Sequence, residues 1–286
     1  MTAQRIRIAF LAVLALAPGV CMAQNPFVGT WKLDAAKSRL AGAIISFGRA
    51  AEQSVQLAAG GQKYSFRADG NLYRMASGDL ASWKRIDANR WSTAYETPSG
   101  ALFSSETWTL SPDGNRLTAA RSRVGAQGAT IPDETIYFVR TAGPTGTSAG
   151  SPTGSVPGSL PVSVPESLLG SLLGSWKSEK VAIGASRELV IQANGLGGMV
   201  LKFPYRQMTC FVDVEGKDVA PEGPVVPPGM TVALLRSGPS SFKWVEKMNG
   251  STVSASVFAL AADGQTLTEV GAAPGDPPRT AVWEKQ

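Results

Sequence analysis

The chain has 286 residues, 43% hydrophobic and 17% charged, with a formal net charge of +5, no histidine and two cysteines. Those counts exclude Ser-His-Asp and Cys-His nucleophile systems, histidine-ligated metals, disulfide scaffolds and four-cysteine zinc sites. The length suggests about two domains.

Residues 1–23 read as a secretory leader. Arg5 and Arg7 form a basic start, Ile8 to Leu16 an apolar stretch, and Cys21-Met22-Ala23 places small residues before a cut at Gln24. A retained anchor and a lipoprotein cut at Cys21 are the alternatives. The apolar stretch is short for a span of about 20 residues, and the residues before Cys21 fit a lipobox poorly. The expected product is periplasmic or extracellular and not an integral membrane protein. After cleavage near Ala23 its net charge is +3, and Cys210 is its only thiol, so an internal disulfide cannot form.

From Gln62 onward the first half alternates short strand-like runs with turn signals. The runs are Gln62–Ala68, Asn71–Ala76, Leu80–Asp87, Arg90–Thr97, Leu102–Ser111, Arg116–Val124 and Glu134–Arg140. The turns include Gly60-Gly61, Asp69-Gly70, Pro98-Ser99-Gly100 and Pro112-Asp113-Gly114. Tyr64 and Phe66 share one face against Lys63, Ser65 and Arg67. Ile136-Tyr137-Phe138-Val139 is apolar on both faces and predicts cover outside as well as inside. Residues 143–167 follow, 19 of 25 being Gly, Pro, Ser or Thr. Such a segment cannot bury enough apolar surface to order itself, so a flexible linker is expected.

The flanks of that linker repeat one another. Phe27-Val28-Gly29-Thr30-Trp31-Lys32 returns as Leu172-Leu173-Gly174-Ser175-Trp176-Lys177, and Thr135 to Arg140 returns as Thr280 to Lys285, both offset by 145 residues. The Ser111-Pro112-Asp113-Gly114 turn returns as Ala261-Ala262-Asp263-Gly264, offset by 150. This order argues for an internal duplication. The second half carries its own turn signals at Asn194-Gly195, Glu215-Gly216, Asn249-Gly250 and Asp263-Gly264. Its residues Met208, Cys210, Val212 and Val214 share an apolar face, with Phe211 opposite. Tight turns allow only antiparallel neighbours, and a meander of eight or nine strands hides its edges best by closing. The expectation is all-β: two tandem up-and-down antiparallel β-barrels at residues 24–142 and 168–286.

The segment from Asn25 to Ser38, Trp83 to Asn89, the Ser-Pro-Asp-Gly hairpin and the closing Val282-Trp283-Glu284-Lys285 resemble small secreted bacterial lipocalin-like domains. Gly29-x-Trp31 and Gly174-x-Trp176 are similar to the lipocalin opening signature. The resemblance implies a barrel whose interior holds a small apolar molecule, and it places a late basic residue, Arg140 or Lys285, across the tryptophan. The second copy ends in Lys where the first has Arg.

No catalytic constellation emerges, so an enzyme is not expected. Gly146-Thr147-Ser148-Ala149-Gly150 matches a nucleophile elbow but lies in the linker. Ser240-Ser241-Phe242-Lys243 has Ser-x-x-Lys spacing on a strand, where the two do not meet. Asp133 and Glu134 are adjacent and so are expected on opposite faces. No carboxylates have calcium-loop spacing, and no metal or cofactor is expected. Arg116, Arg121 and Arg123 contribute to an excess of 14 basic over 10 acidic residues in 24–142 and read as a solvated strand face. No nucleic-acid motif is present. Cys210, with apolar neighbours at two-residue spacing, reads as a buried small hydrophobe.

The aromatics Tyr64, Phe66, Trp91, Tyr95 and Trp108 are the candidate lining of a ligand cavity, although eight strands can equally be filled by their own side chains. The functional expectation is an exported protein that carries or scavenges a small apolar or amphipathic ligand. The alternative is a filled-barrel interaction or inhibitor module for an envelope protein or polysaccharide.

Overall fold

The structure is a computed structural model, describing residues 25–51, 54–124, 128–143, 170–195 and 197–286. The expected leader and nearly all of the expected linker, including its Gly-x-Ser-x-Gly, lie outside those residues. The first half contributes β1 (Gly29–Leu33), β2 (Ile44–Arg49), β3 (Val55–Ala59), β4 (Gln62–Phe66), β5 (Asp69–Arg74), β6 (Leu80–Arg85), β7 (Arg90–Glu96), β8 (Leu102–Leu110), β9 (Arg116–Val124) and β10 (Thr130–Ala142). The second contributes β11 (Gly174–Ile183), β12 (Glu188–Ala193), β13 (Met199–Phe203), β14 (Met208–Val212), β15 (Met230–Gly238), β16 (Ser241–Met248), β17 (Ser251–Leu260), β18 (Thr266–Ala272) and β19 (Arg279–Lys285). Short 3-10 turns at Gly170–Leu172 and Pro204–Arg206 are the helical content of the described residues.

The strands form two nearly closed antiparallel barrel-like sheets. The first has ten strands in the order β4-β3-β2-β11-β10-β9-β8-β7-β6-β5, and the second has nine, β14-β13-β12-β1-β19-β18-β17-β16-β15. Two residues, Arg67 and Ala68, join the end strands β4 and β5 of the first sheet. In the second, the segment between β14 and β15 bridges its end strands through Thr209↔Glu222 and Val219↔Val232.

The opening strands are exchanged. β1 lies between β12 and β19, with Trp31 opposite Leu189 and Lys285. β11 lies between β2 and β10, with Trp176 opposite Ile45 and Arg140. Each sheet thus takes its Gly-x-Trp strand from the other repeat. The two tryptophans occupy matching settings. Both are fully buried, and each indole Nε1 donates to the carbonyl four residues earlier, Phe27 or Leu172, at 2.9 Å. Arg140 covers Trp176 with its guanidinium 4.0 Å from the ring centroid, and Lys285 covers Trp31 with Nζ at 5.2 Å. The cation and the tryptophan of each pair therefore come from different repeats. Gly174 has φ +123°, and a Cβ there would sit 2.4 Å from the Ala142 carbonyl oxygen, so the signature glycine lets β10 close over it.

Alternation decides which side chains enter each barrel. On β4, Tyr64 and Phe66 point inward; on β14, Met208, Cys210 and Val212 do, leaving Phe211 outside at 52% exposure. Cys210 is completely buried, and burial pushes its thiol up to about 12. It stays protonated at pH 8, so iodoacetamide is expected to alkylate it only after denaturation, and rapid alkylation of the native protein would contradict this packing. The turn signals are partly reassigned. Asn249 and Gly250 (φ 49° and 81°) form the tight β16–β17 turn. Asp69-Gly70 lies on β5 instead, where the register with β6 shifts between Asp69 and Leu72: it is a bulge, not a turn. Among the described residues the expected outer cover over Ile136 to Val139 does not appear: Tyr137 is exposed, with Lys180 Nζ 5.6 Å from its ring centroid.

Candidate ligand-binding cavity

The first sheet packs an aromatic core around a hollow. Phe66 stacks on Trp83 at 4.3 Å, Trp83 on Trp108 at 5.5 Å and Trp108 on Phe138 at 6.2 Å, while Phe47 meets both tryptophans edge-on. Beside this stack lies a cavity of about 560 Å³. Such a volume falls in the range of small-molecule sites, roughly 300–1,000 Å³. Tyr64, Tyr95 and Trp108 stand on its wall, joined by Leu57, Ala119 and Phe138. Phe66 and Trp91 are fully buried in the packed core and do not border the space. Small side chains on its wall, Ser104 and Ala119 on the adjacent strands β8 and β9 and Ala59 on β3, leave the room for it.

One end of the cavity is polar. Counting outward from the hairpin at Ser111 to Arg116 puts Glu106 of β8 opposite Arg121 of β9. Both face inward. Glu106, its side chain 1% exposed, accepts from Arg121 Nε at 2.7 Å and Nη2 at 2.6 Å, and from the Tyr95 hydroxyl at 2.8 Å. Arg121 Nη1 reaches Glu134 at 2.8 Å, and Arg187 Nη2 holds the other oxygen of Glu134 at 2.8 Å. Burial works to raise the Glu134 carboxyl, but the Arg121 and Arg187 guanidiniums hold it below the usual carboxylate range. Burial, reinforced by the neighbouring Glu106, raises the Tyr95 hydroxyl well above its ordinary value, so Tyr95 remains a neutral donor.

Two expectations from sequence fail here. Arg121 and Arg123 are not a solvated face. They continue the inward series Leu117, Ala119, and Arg123 Nη1 donates to the Tyr205 carbonyl of the other repeat at 2.9 Å. Arg116 alone is outward and exposed, paired with Glu179 at 3.1 Å. Asp133 and Glu134 do not point apart. A register shift between Pro132 and Glu134 bulges β10 against β9, and both carboxylates meet Arg187 Nη2, at 3.3 and 2.8 Å.

The β5–β6 turn also brings Asp79, 5% exposed, to the cavity. Its Oδ2 accepts from the Ser77 hydroxyl at 2.9 Å, and burial raises its carboxyl above the ordinary value. Its Oδ1 and the Nε1 of Trp108 have no hydrogen-bond partner among the described residues. The β18–β19 loop of the second sheet closes over the rim. A Cβ at Gly60 would be 3.3 Å from Ala273 Cβ, and one at Gly61 3.2 Å from Pro274.

The second barrel has a smaller pocket of about 180 Å³ at matching positions. The 150-residue offset equates Ser104 with Ser254, Glu106 with Ser256, Ala119 with Glu269 and Arg121 with Gly271. The 145-residue offset equates Glu134 with Arg279 and Phe138 with Trp283. Glu269 takes up the room left by Ala119 in the first barrel. Its carboxyl is raised by burial and accepts from Trp283 Nε1 at 3.2 Å. The rest of this interior is filled by residues such as Phe27, Phe242 and Phe258, the latter pair stacked at 4.9 Å.

The described residues contain no cluster of three or more metal-ligating side chains, and no helix among them is long and apolar enough to cross a membrane. Of the Ser-x-x-Lys motif, Ser240 lies in the turn before β16 and Lys243 on extended β16, outside the helical turn that such a nucleophile requires. The molecule is an all-β protein of two strand-exchanged, barrel-like sheets, one of them hollow. No family model, curated protein or solved structure matches the chain.

Proposed function

We propose that the protein binds one small amphipathic molecule inside the first barrel and serves as its carrier or scavenger. The observation that carries this reading is the hollow itself: about 560 Å³, walled by Leu57, Trp108, Ala119 and Phe138 on its apolar side and by Tyr95, Glu106 and Arg121 on its polar side. Well-packed interiors rarely leave a space that large. The Gly-x-Trp strands crossed by a late cation support kinship with lipocalin-like binding barrels, and the leader at residues 1–23 supports a role outside the cytoplasm. The interaction-module alternative requires filled interiors, and the hollow weighs against it.

Native mass spectrometry of gently purified protein is expected to show one extra small mass per chain, recoverable by solvent extraction. Nile red should bind the stripped protein, and Ala119→Phe, which projects a ring into the cavity, should weaken that binding by about tenfold or more, since one buried aromatic displaces most of a ligand's apolar contact. Unchanged Nile red affinity in a folded Ala119→Phe variant would remove the cavity as the binding site.

A further inference from the structure

We infer that the ligand of the first barrel carries a cationic hydrogen-bond donor, an organic amine, which sits against Asp79 while its apolar body lies along Trp108 and Phe138; this rests on the binding function proposed above. A buried carboxylate is costly unless a cation or several donors meet it. Asp79 is 5% exposed, and the one side chain seen to bond it is the Ser77 hydroxyl, on Oδ2. Oδ1 is buried and lacks a partner among the described residues, and Asp79 is one of the residues on the cavity wall.

The protein's nearby cations are committed elsewhere. Arg121 is held by Glu106 and Glu134. Lys63 reaches the cavity's edge from the exposed, outward side of β4 and so meets solvent as well. Arg279 borders the cavity from the second sheet, on the side of Glu134, whose carboxylate it helps keep charged. The interior therefore has an acceptor without a donor, and a ligand ammonium supplies both the charge and the protons. The wall also suits a cation, because Tyr64 and Trp108 present aromatic rings to the same space. Trp108, on the same wall, has its Nε1 likewise buried without a partner among the described residues.

The test is displacement of Nile red from the full chain by dodecylamine, dodecanol and dodecanoate, three probes that share a tail and differ in the head. Dodecylamine should displace the dye at about tenfold lower concentration than either of the others, the scale of one charge-assisted hydrogen bond. Asp79→Asn should bring the amine and the alcohol to within about twofold of each other, each measured against the variant's own Nile red affinity. Equal displacement by amine and alcohol in the parent protein, or an amine preference that survives Asp79→Asn, would overturn the head-group assignment and leave the binding function standing. Failure of Nile red and all three probes to bind would overturn both.

Discussion

Replacing Trp176 by alanine is expected to destabilise the hollow barrel by about 3–5 kcal/mol and to abolish Nile red binding, while Trp31→Ala costs a similar amount and leaves the dye bound. The two residues have the same burial, the same indole hydrogen bond and a covering cation. They differ in where they sit. Trp176 packs in the core that includes Trp83, Trp108 and Phe138, although it lies in the opposite repeat; Trp31 packs with Leu189, Phe242 and Trp283. Thermal unfolding followed by intrinsic fluorescence, with dye binding measured at a temperature where both variants are folded, separates the outcomes. The reverse pattern, with binding lost in Trp31→Ala and kept in Trp176→Ala, would mean that each repeat keeps its own opening strand.

The second large effect is expected at the buried ion pair. Arg121→Met leaves Glu106 enclosed with Tyr95 as its remaining donor. Removing one partner of an enclosed pair costs about 3–5 kcal/mol; the expected loss here is about 2–3 kcal/mol, because Arg121 is 39% accessible where it borders the cavity, which weakens the pair. Adding Glu106→Gln should recover part of that loss, giving a double-mutant cycle with clear coupling in denaturant titrations. Additive losses would show that the pair contributes nothing as a pair. The pH dependence follows from Glu134. Its carboxyl is held below the usual value in the folded state, so its contribution is present above the unfolded carboxylate range and is lost as pH falls through its lowered folded value. Arg121→Met removes the largest of the cationic contributions, those of Arg187 and Arg279 remaining, and should flatten that acid limb.

Much of the fold was legible in the sequence, for reasons that can be named. Turn residues with strong backbone demands, such as Asn249-Gly250, marked the hairpins, and two-residue alternation on β4 and β14 sorted inside from outside. Strands β2 and β3 were not among the predicted runs, since small and polar residues such as Ser46, Gly48 and Ala58 dilute their pattern. The strand exchange was not legible at all. Gly29-Thr30-Trp31-Lys32 and Gly174-Ser175-Trp176-Lys177 present nearly the same side chains, so either fits either slot, and nothing local tells a strand which neighbour it will join.

The site was half legible. Tyr64, Tyr95 and Trp108 follow from alternation and do line the cavity. Glu106 and Arg121 were readable in principle, because the Ser-Pro-Asp-Gly hairpin fixes their register across from each other on the inward face. Charge suggested solvent, and that habit hid them. Asp79 gave no signal, since its burial depends on a turn folding over the barrel rim.

The pairing of Trp31 with Lys285, Lys32 with Glu284 and Leu33 with Trp283 has a consequence in time. Synthesis delivers β1 before its partners, since β12 and β19 both come from the second repeat. The hollow barrel likewise waits for β11 before it can close. Pairings this distant along the chain are slow to form, because loop-closure entropy must be met before any contact rewards it. The newborn chain therefore carries an unpaired Gly-x-Trp strand until the second repeat emerges, and the second barrel closes only after β19 is made.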